Sequence, residues 1–276
     1  MSEEAKAYLA GVFDRAAPDY EQVGVDFFGP VGVRLAQHAQ PGERVLDVGC
    51  GRGASLFPAA ERVGPEGFVH GIDLAPGMVR EAGRDIQRRG VSNARVTIGD
   101  AESLDFPDAS FDAVQSGLVL FFVPDMPQAA AEIARVLRPG GRLALATFAE
   151  DREEDKALQA TLRNLLTPYL PPPPATSTDQ PTPSERLRTV ASLHDLLKDF
   201  TAIECTDHLQ EILFPTPEHY WSWLWSAGMR GMMESIPQST LPEAHHTFTQ
   251  GLHSLTTPNG TLTYTMHLRF TTAIRP

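Results

Sequence analysis

The sequence predicts an α/β fold: a doubly wound, mostly parallel sheet carrying a helical cap. Three observations lead there. Between residues 44 and 148, strand-length apolar runs alternate with helical stretches, the pattern of parallel strands joined by crossover helices. Those strands are apolar on both sides, as strands covered on two faces must be. The first of them runs into the glycine turn of VLDVGCGRG (45–53) and opens a helix, a junction that lets backbone approach a ligand and offers it unpaired N–H groups.

Taken in order, residues 3–16 space Ala5, Leu9, Val12 and Phe13 helically, and Asp26–Ala39 repeats the pattern before Pro41-Gly42 punctuates it. Strands are expected at Arg44–Val48, Phe68–Asp73, Arg95–Gly99, Phe111–Ser116 and Arg142–Phe148, with helices at Ala54–Arg62, Met78–Arg89 and Met126–Leu137. Residues 150–168 read as a charged helix. The proline-rich LPPPPATSTDQPTPS (170–184) cannot pack as helix or inner strand and is expected to run extended over the surface. Ser192–Phe200 returns to helix, Ile203–Phe214 to strand, and 215–257 is inserted helix. In TLTYTMHLRFTTAI (261–274), Leu262, Tyr264, Met266, Leu268 and Phe270 alternate with polar positions, which predicts a half-exposed antiparallel strand at or near a sheet edge. The expected organisation is therefore N-terminal helices over the site (1–40), a ligand-binding core (41–150), cap insertions (151–191 and 215–257) and final core strands (192–214 and 258–276).

At 276 residues and 42% hydrophobic, the chain can bury a full core. Its 23 basic against 35 acidic residues, a formal charge of −12, disfavours nucleic acid and anionic membranes as partners. With no basic-then-apolar leader and no window of ~18 apolar residues, neither a signal peptide nor a membrane span is expected, and the cytoplasm is the expected location. Cys50 and Cys205 are read as thiols, and no metal cluster is expected.

The glycine turn alone leaves two ligands open. Gly49, Gly51 and Ala54 also satisfy the dinucleotide fingerprint, and Asp73 lies about 20 residues beyond Gly53, where a ribose-binding acid belongs. Asp47, inside the strand, orients an amine-bearing ligand end but would repel a pyrophosphate, which favours S-adenosylmethionine. Asp100, in GDAESLDFPDASFD (99–112), can accept from an adenine amino group, and Ala101 leaves the ring uncrowded.

Together with GIDLAPGM (71–78) and LRPGGRL (137–143), these stretches resemble, over roughly residues 10–150, the class I S-adenosylmethionine-dependent methyltransferases. The likeness is to the ubiquinone/menaquinone-type branch and to bacterial natural-product methyltransferases, actinomycete indole-alkaloid C-methyltransferases included. The resemblance implies a Rossmann-like seven-stranded sheet with its last strand antiparallel. It also implies that Gly49, Gly51 and Gly53 line the methionine moiety, Asp73 holds ribose, Leu74 and Met78 cover the adenine, and Asp100 with Ala101 meets its edge; Ser116 joins the cofactor contacts. Tyr20, in APDYEQVG (17–24), would close over the methionine carboxylate or the methyl group.

Where quinone-type relatives carry histidine, this chain reads SGLVLFFVPD (116–125), so Phe121 and Phe122, with Phe28, suggest an apolar mouth and put a base there in doubt. PTPEHYWSWLWSAGMRGMMES (215–235) concentrates all three tryptophans. Thr216, Pro217 and Glu218 make a helix start; Trp221 and Trp225 share one face, Tyr220 and Trp223 another. The helix is either the core of a cap or an aromatic wall for a flat or isoprenoid substrate. Gly228 and Gly231 inside it suggest a close approach or a bend. His219, beside the aromatic run, is the candidate base or hydrogen-bond partner, and Tyr20 is the other candidate catalytic residue. The expected function is methyl transfer to a small, largely apolar molecule of secondary metabolism, with carbon favoured over oxygen or nitrogen as acceptor. The alternatives are a nicotinamide-dependent oxidoreductase and cyclisation on the same fold and cofactor. The stripe Leu9, Val12 and Phe13 suggests self-association through the first helix.

Overall fold

The computed structural model describes residues 3–172 and 185–276; most of the proline-rich stretch, residues 173–184, lies outside them. Seven strands, β1 (Arg44–Val48), β2 (Phe68–Asp73), β3 (Ala94–Ile98), β4 (Phe111–Gly117), β5 (Leu137–Phe148), β6 (Thr201–Phe214) and β7 (Leu262–Ile274), form one sheet in the order β3-β2-β1-β4-β5-β7-β6. Neighbours are parallel from β3 to β5, and β7 runs antiparallel to both β5 and β6. The chain steps outward from β1 to β3, then crosses back to β4. The crevice between β1 and β4 is thus the point where strand order reverses, the place where open α/β sheets bind ligands.

Alternation along β1 divides the core. Val45 packs with Ala36 of α2 (Phe28–Ala36) and Leu56, Ala59 and Ala60 of α3 (Leu56–Val63). Leu46 and Val48 join the larger cluster with Ala129 and Ile133 of α5 (Met126–Val136) and Leu193 of α7 (Val190–Leu196). Helices α4 (Pro76–Arg89) and α6 (Glu153–Leu166) complete the covering layers. Pro76 opens α4 at a position whose helix N–H would be unpaired anyway, so its missing donor costs nothing there. The expected strand and helix positions in the core differ from the observed ones by a few residues at the ends.

The structure adds detail to two expectations. β7 is antiparallel and lies next to the edge, as expected; the edge itself is β6, so residues 262–267 of β7 pair with β6 alone, whereas 268–272 and 274 pair with both β5 and β6. The alternating half is thus half-exposed and most of the rest is buried. The stripe on α1 (Glu3–Ala16) is also used within the chain. Val12 is buried, Phe13 packs edge-on to Phe122 at 5.6 Å, and Gly231 in α9 (Arg230–Glu234) comes so close that a Cβ there would lie 3.2 Å from Val12. The second half of the cap is α8 (Pro217–Ser226), α9 and α10 (Leu241–His253). Gly228 sits in the turn between α8 and α9, not inside a helix, and meets Phe122 and Phe13 at 3.4 and 3.5 Å from its would-be Cβ. Both glycines therefore serve close approach of cap to α1.

Among the described residues, no helix is long and apolar enough to cross a membrane. Leu46 is fully buried at the centre of the sheet, whereas Leu213 on the edge strand is 57% exposed. Leu46→Ala should cost about 3 kcal/mol in urea unfolding, and Leu213→Ala should stay within about 0.5 kcal/mol of the parent.

Candidate functional site

At the strand-order reversal the loops after β1 and β4 interlock. Gly49, Gly51 and Gly53 all have positive φ (71, 51 and 97°), a conformation only glycine adopts without strain. A Cβ on Gly49 would lie 2.4 Å from Val119, which the left-handed Leu118 (φ 59°) directs across the crevice. Ile72 O accepts from Gly49 N and Cys50 N at 2.8 and 2.9 Å, tethering the turn to the end of β2. Asp73 braces the same turn: its Oδ2 accepts from Gly51 N and its Oδ1 from Ala75 N, both at 2.9 Å. Each carboxylate oxygen keeps a further lone pair for a ligand hydroxyl. The ring of Tyr20 closes the turn from above, 3.8 Å from where a Gly51 Cβ would be.

Beneath the turn lies Asp47, fully buried, with Oδ2 accepting from Ser55 Oγ at 2.7 Å. Among the described residues its Oδ1 has no hydrogen-bond partner, and neither has Nε2 of its cross-strand neighbour Gln115. Burial pushes Asp47 up to about 7; Ser55 and Gln115 draw it down, and Asp73 pushes it further up. Burial also raises Asp73, against the pull of its backbone donors. Two carboxylates under one turn, both held above their usual range, disfavour an anion and suit a cationic ligand rich in N–H and O–H donors. A pyrophosphate does not fit this site. A nucleoside bearing an ammonium and a sulfonium does.

Asp100 follows β3, accepts from Glu102 N at 2.9 Å, and pairs with Lys6 Nζ at 2.6 Å; Lys6 also reaches Glu102 at 2.6 Å. Helix α1 is thereby strapped across the strand ends, with Asp14 accepting from Gly77 N and Arg15 pairing with Glu234 at 2.6 Å. Met78 is buried under α1 beside Ala16, Ala17 and Ala75, and Leu74 is half-buried next to it. Ala101 is buried, and Ser116 donates to Val48 O at 2.9 Å, tying β4 to β1 at the floor of the crevice. The cavity beside the glycine turn, lined by Tyr20, Glu21, Phe28, Gly49, Gly51 and Ser55, holds about 40 Å³. Small-molecule sites are several times larger.

A row of rings leads from this cavity to the cap. Tyr20 stacks on Phe28 (4.8 Å between centroids), Phe28 meets Phe27 (4.7 Å), Phe27 meets Trp223 (6.1 Å), and Trp223 meets Phe214 and Tyr220 (5.6 and 5.7 Å). Trp221 and Trp225, singled out in the sequence, lie on the other side of α8. Trp221 packs on His245 and Phe248 of α10, and Arg230 lies over Trp225. The reason is helical spacing: Tyr220, Trp223 and Leu224 are buried at i, i+3 and i+4. Phe121 is core, tilted on Phe148 at 5.2 Å, whereas Phe122 is half-buried at the mouth against Phe13. His219 lies against Gly24, and its Nδ1 bonds Thr216 Oγ1 at 2.9 Å, so that hydroxyl does not cap the helix. Burial, together with Glu21 and Asp73, pushes the Tyr20 phenol well up, which removes it as a base near neutral pH.

The structure adds Lys6, Glu21, Arg52 and Trp223 to the site. Glu21 is half-buried with a left-handed backbone (φ 59°). Burial pushes it up to about 7, Arg52 and Arg89 pulling down, Asp26 and Asp85 pushing up. Such strain in a non-glycine residue is characteristic of functional segments. Sequence patterning offers one cue for these residues, the charged Arg52 inside an otherwise neutral glycine turn.

Residues 39–194 match the family model described as a methyltransferase domain. Over 141 residues the chain is 48% identical to aklanonic acid methyltransferase DauC from Streptomyces sp. (strain C5), a stretch covering 50% of this chain and 64% of that one. It is 50% identical over 136 residues to nocamycin O-methyltransferase from Saccharothrix syringae, 49% of each chain, and 34% identical over 150 residues to demethylmenaquinone methyltransferase from Listeria welshimeri, 52% of this chain and 64% of that one. The matches thus span from about half to just under two thirds of these curated relatives. Among solved structures, YcgJ from Bacillus subtilis aligns with a TM-score of 0.57 at 21% identity, covering 89% of this chain and 97% of that one. The [4+2]-cyclase SpnF aligns at 0.55 and 20% identity, covering 90% and 81%. At these identities the likeness is one of fold.

Glu21 carries a pH signature. Its pKa is higher in the folded chain than the usual 4.5, so the stability it contributes is complete below 4.5 and is lost as pH rises through about 7. Glu21→Gln removes that loss. The melting temperature of the variant should therefore gain on the parent between pH 5 and pH 8 in a thermal-shift series, and parallel pH profiles would contradict the assignment.

Proposed function

The chain belongs to the methyltransferase-domain family, the class I S-adenosylmethionine-dependent enzymes, and we propose that it methylates an acidic oxygen on a small, largely apolar polycyclic natural product. The single observation behind the cofactor half is the pair of carboxylates, buried Asp47 and half-buried Asp73, that hold a glycine turn between them. The nicotinamide alternative falls with the family assignment. S-adenosylmethionine supplies a methyl group on a sulfonium, a good leaving group for in-line displacement.

The residue roles are part of the proposal. Gly49, Gly51 and Gly53 receive the methionine end, with the sealed Asp47 acting on it through the turn above, Asp73 the ribose, and Asp100 with Ala101 the adenine edge. For that last contact Lys6 must share or yield Asp100. Leu74 and Met78 cover the adenine, and Tyr20 closes over the methyl-bearing end. The division into core (41–150 with 192–214 and 258–276), N-terminal cover (1–40) and cap (151–191 and 215–257) follows the same lines.

Aromatic character alone favours an electron-rich carbon acceptor. Two supports turn the proposal to oxygen. One relative matching half of this chain is named an O-methyltransferase, and another is named for an acid. The chemistry of the mouth agrees. A neutral hydroxyl needs a base in reach; Tyr20 holds its proton, Asp47 is sealed beneath the turn, and Phe121 and Phe122 bring none, which leaves Glu21 in the cavity wall as the one carboxylate poised near neutral pH among the described lining residues. An enolic or carboxylic oxygen arrives ionised and needs positioning and exclusion of water, which the row from Phe28 to Trp223 supplies. His219 is the titratable side chain of α8 against the approach segment, and its proposed role is to hydrogen-bond the acceptor.

Asp73→Ala should lower the affinity for S-adenosylhomocysteine at least tenfold in calorimetry, and unchanged binding counts against the ribose assignment. With an acidic polycyclic acceptor, the product should gain one methyl group by mass. A product of unchanged mass would instead support cyclisation on this fold.

A further inference from the structure

We propose that Arg52 is a positioning residue: gripped by Asp85, it holds the segment 17–21 so that Tyr20 closes over the glycine turn. This rests on the cofactor reading above. Arg52 stands between Gly51 and Gly53, yet its side chain leaves the turn and is only 7% exposed. Its Nη2 donates to Asp85 Oδ2 at 2.9 Å, and Asp85, on α4, is 5% exposed at its side chain. Its Nη1 faces the carbonyl oxygens of Ala17, Pro18 and Tyr20 at 3.3, 3.1 and 3.4 Å.

Those carbonyls follow the end of α1, where a chain leaves acceptors without helical partners. One planar guanidinium thus joins three elements: the glycine turn that bears it, the helix α4 that fixes its direction, and the non-helical stretch that carries Tyr20 and Glu21. Arg88 also pairs with Asp85, at 2.8 Å, so the carboxylate keeps its orientation. A lysine keeps the charge beside Asp85 but lacks the rigid fork that serves two directions at once. Arg52→Lys is therefore a change that loosens 17–21 while leaving the buried pair of charges in place.

If Arg52 acts through Tyr20, the two residues are energetically coupled. Calorimetry with S-adenosylhomocysteine on the full chain, Arg52→Lys, Tyr20→Ala and the double variant reads this directly. Each single change should weaken binding about tenfold, and the double variant should be no weaker than the worse single. Backbone amides of 17–21 should also exchange with deuterium faster in Arg52→Lys without ligand. Asp85→Asn serves as the second variant, coupled to Tyr20 in the same way, should Arg52→Lys not fold. Unchanged affinity in Arg52→Lys, or effects that multiply in the double variant, overturn the proposal. A parent chain that binds no S-adenosylhomocysteine overturns the cofactor reading and this inference with it.

Discussion

Holding two carboxylates, one buried and one half-buried, at one point of a sheet is the constraint that organises this molecule. Asp47 cannot leave the floor of the crevice, because β1 is a central strand and its side chain is sealed by Ser55 and the strand beside it. Asp73 cannot leave the rim, because Gly51 N and Ala75 N both depend on it. Their mutual repulsion is tolerable only with donors around them, and the glycine turn is the shape that brings backbone N–H groups that close. The glycines therefore make room for neighbours of two kinds: protein on the Gly49 side, where Val119 fits, and the space under Tyr20 on the Gly51 side.

Closure over that space comes from outside the sheet. Helix α1 is held by charge, Lys6 to Asp100 and Glu102 and Arg15 to Glu234, beside an apolar seam through Val12, Phe13 and Ala16. Burial alone would lower the Lys6 pKa, but its hydrogen bonds to Asp100 and Glu102 outweigh that and raise it. Ion pairs across a cleft open more readily than a packed apolar seam, since water can replace each partner. A helix fastened in this manner can cover a site and still release it. The apolar part of the fastening, Phe13 with Phe122 and Gly228, joins α1 to the turn between α8 and α9.

The sheet is legible in the sequence because its strands are short, doubly buried and separated by helices with caps and glycines at the ends; Arg44–Val48 and Phe68–Asp73 match to the residue. Asp73 and Asp100 are legible because position at a strand end is encoded in spacing. What escapes follows from long-range geometry. Lys6 meets Asp100 across 94 residues, and nothing local marks either as half of a pair. The face of α8 that turns inward is ambiguous because both stripes are aromatic, so periodicity alone cannot choose between Trp221 with Trp225 and Tyr220 with Trp223. The edge position goes to β6, not β7, because strand order depends on how the chain returns after the cap and not on either strand's alternation.

This division bears on where specificity resides. The family match ends at residue 194, before β6 and before α8, α9 and α10. Asp47, Asp73 and the glycines lie inside it, and the aromatic row lies outside it, Tyr20, Phe27 and Phe28 before and Phe214, Tyr220 and Trp223 after. Trp223 makes the boundary concrete: it is buried by Phe27, Phe214 and Tyr220, yet its indole N–H has no partner among the described residues. A buried donor left open costs stability, and a cap built only as packing would have no reason to keep one when phenylalanine fills similar space. On the proposed reading, the source of the methyl group is thus written in the shared core, and the choice of its acceptor in a cap whose sequence answers to the substrate.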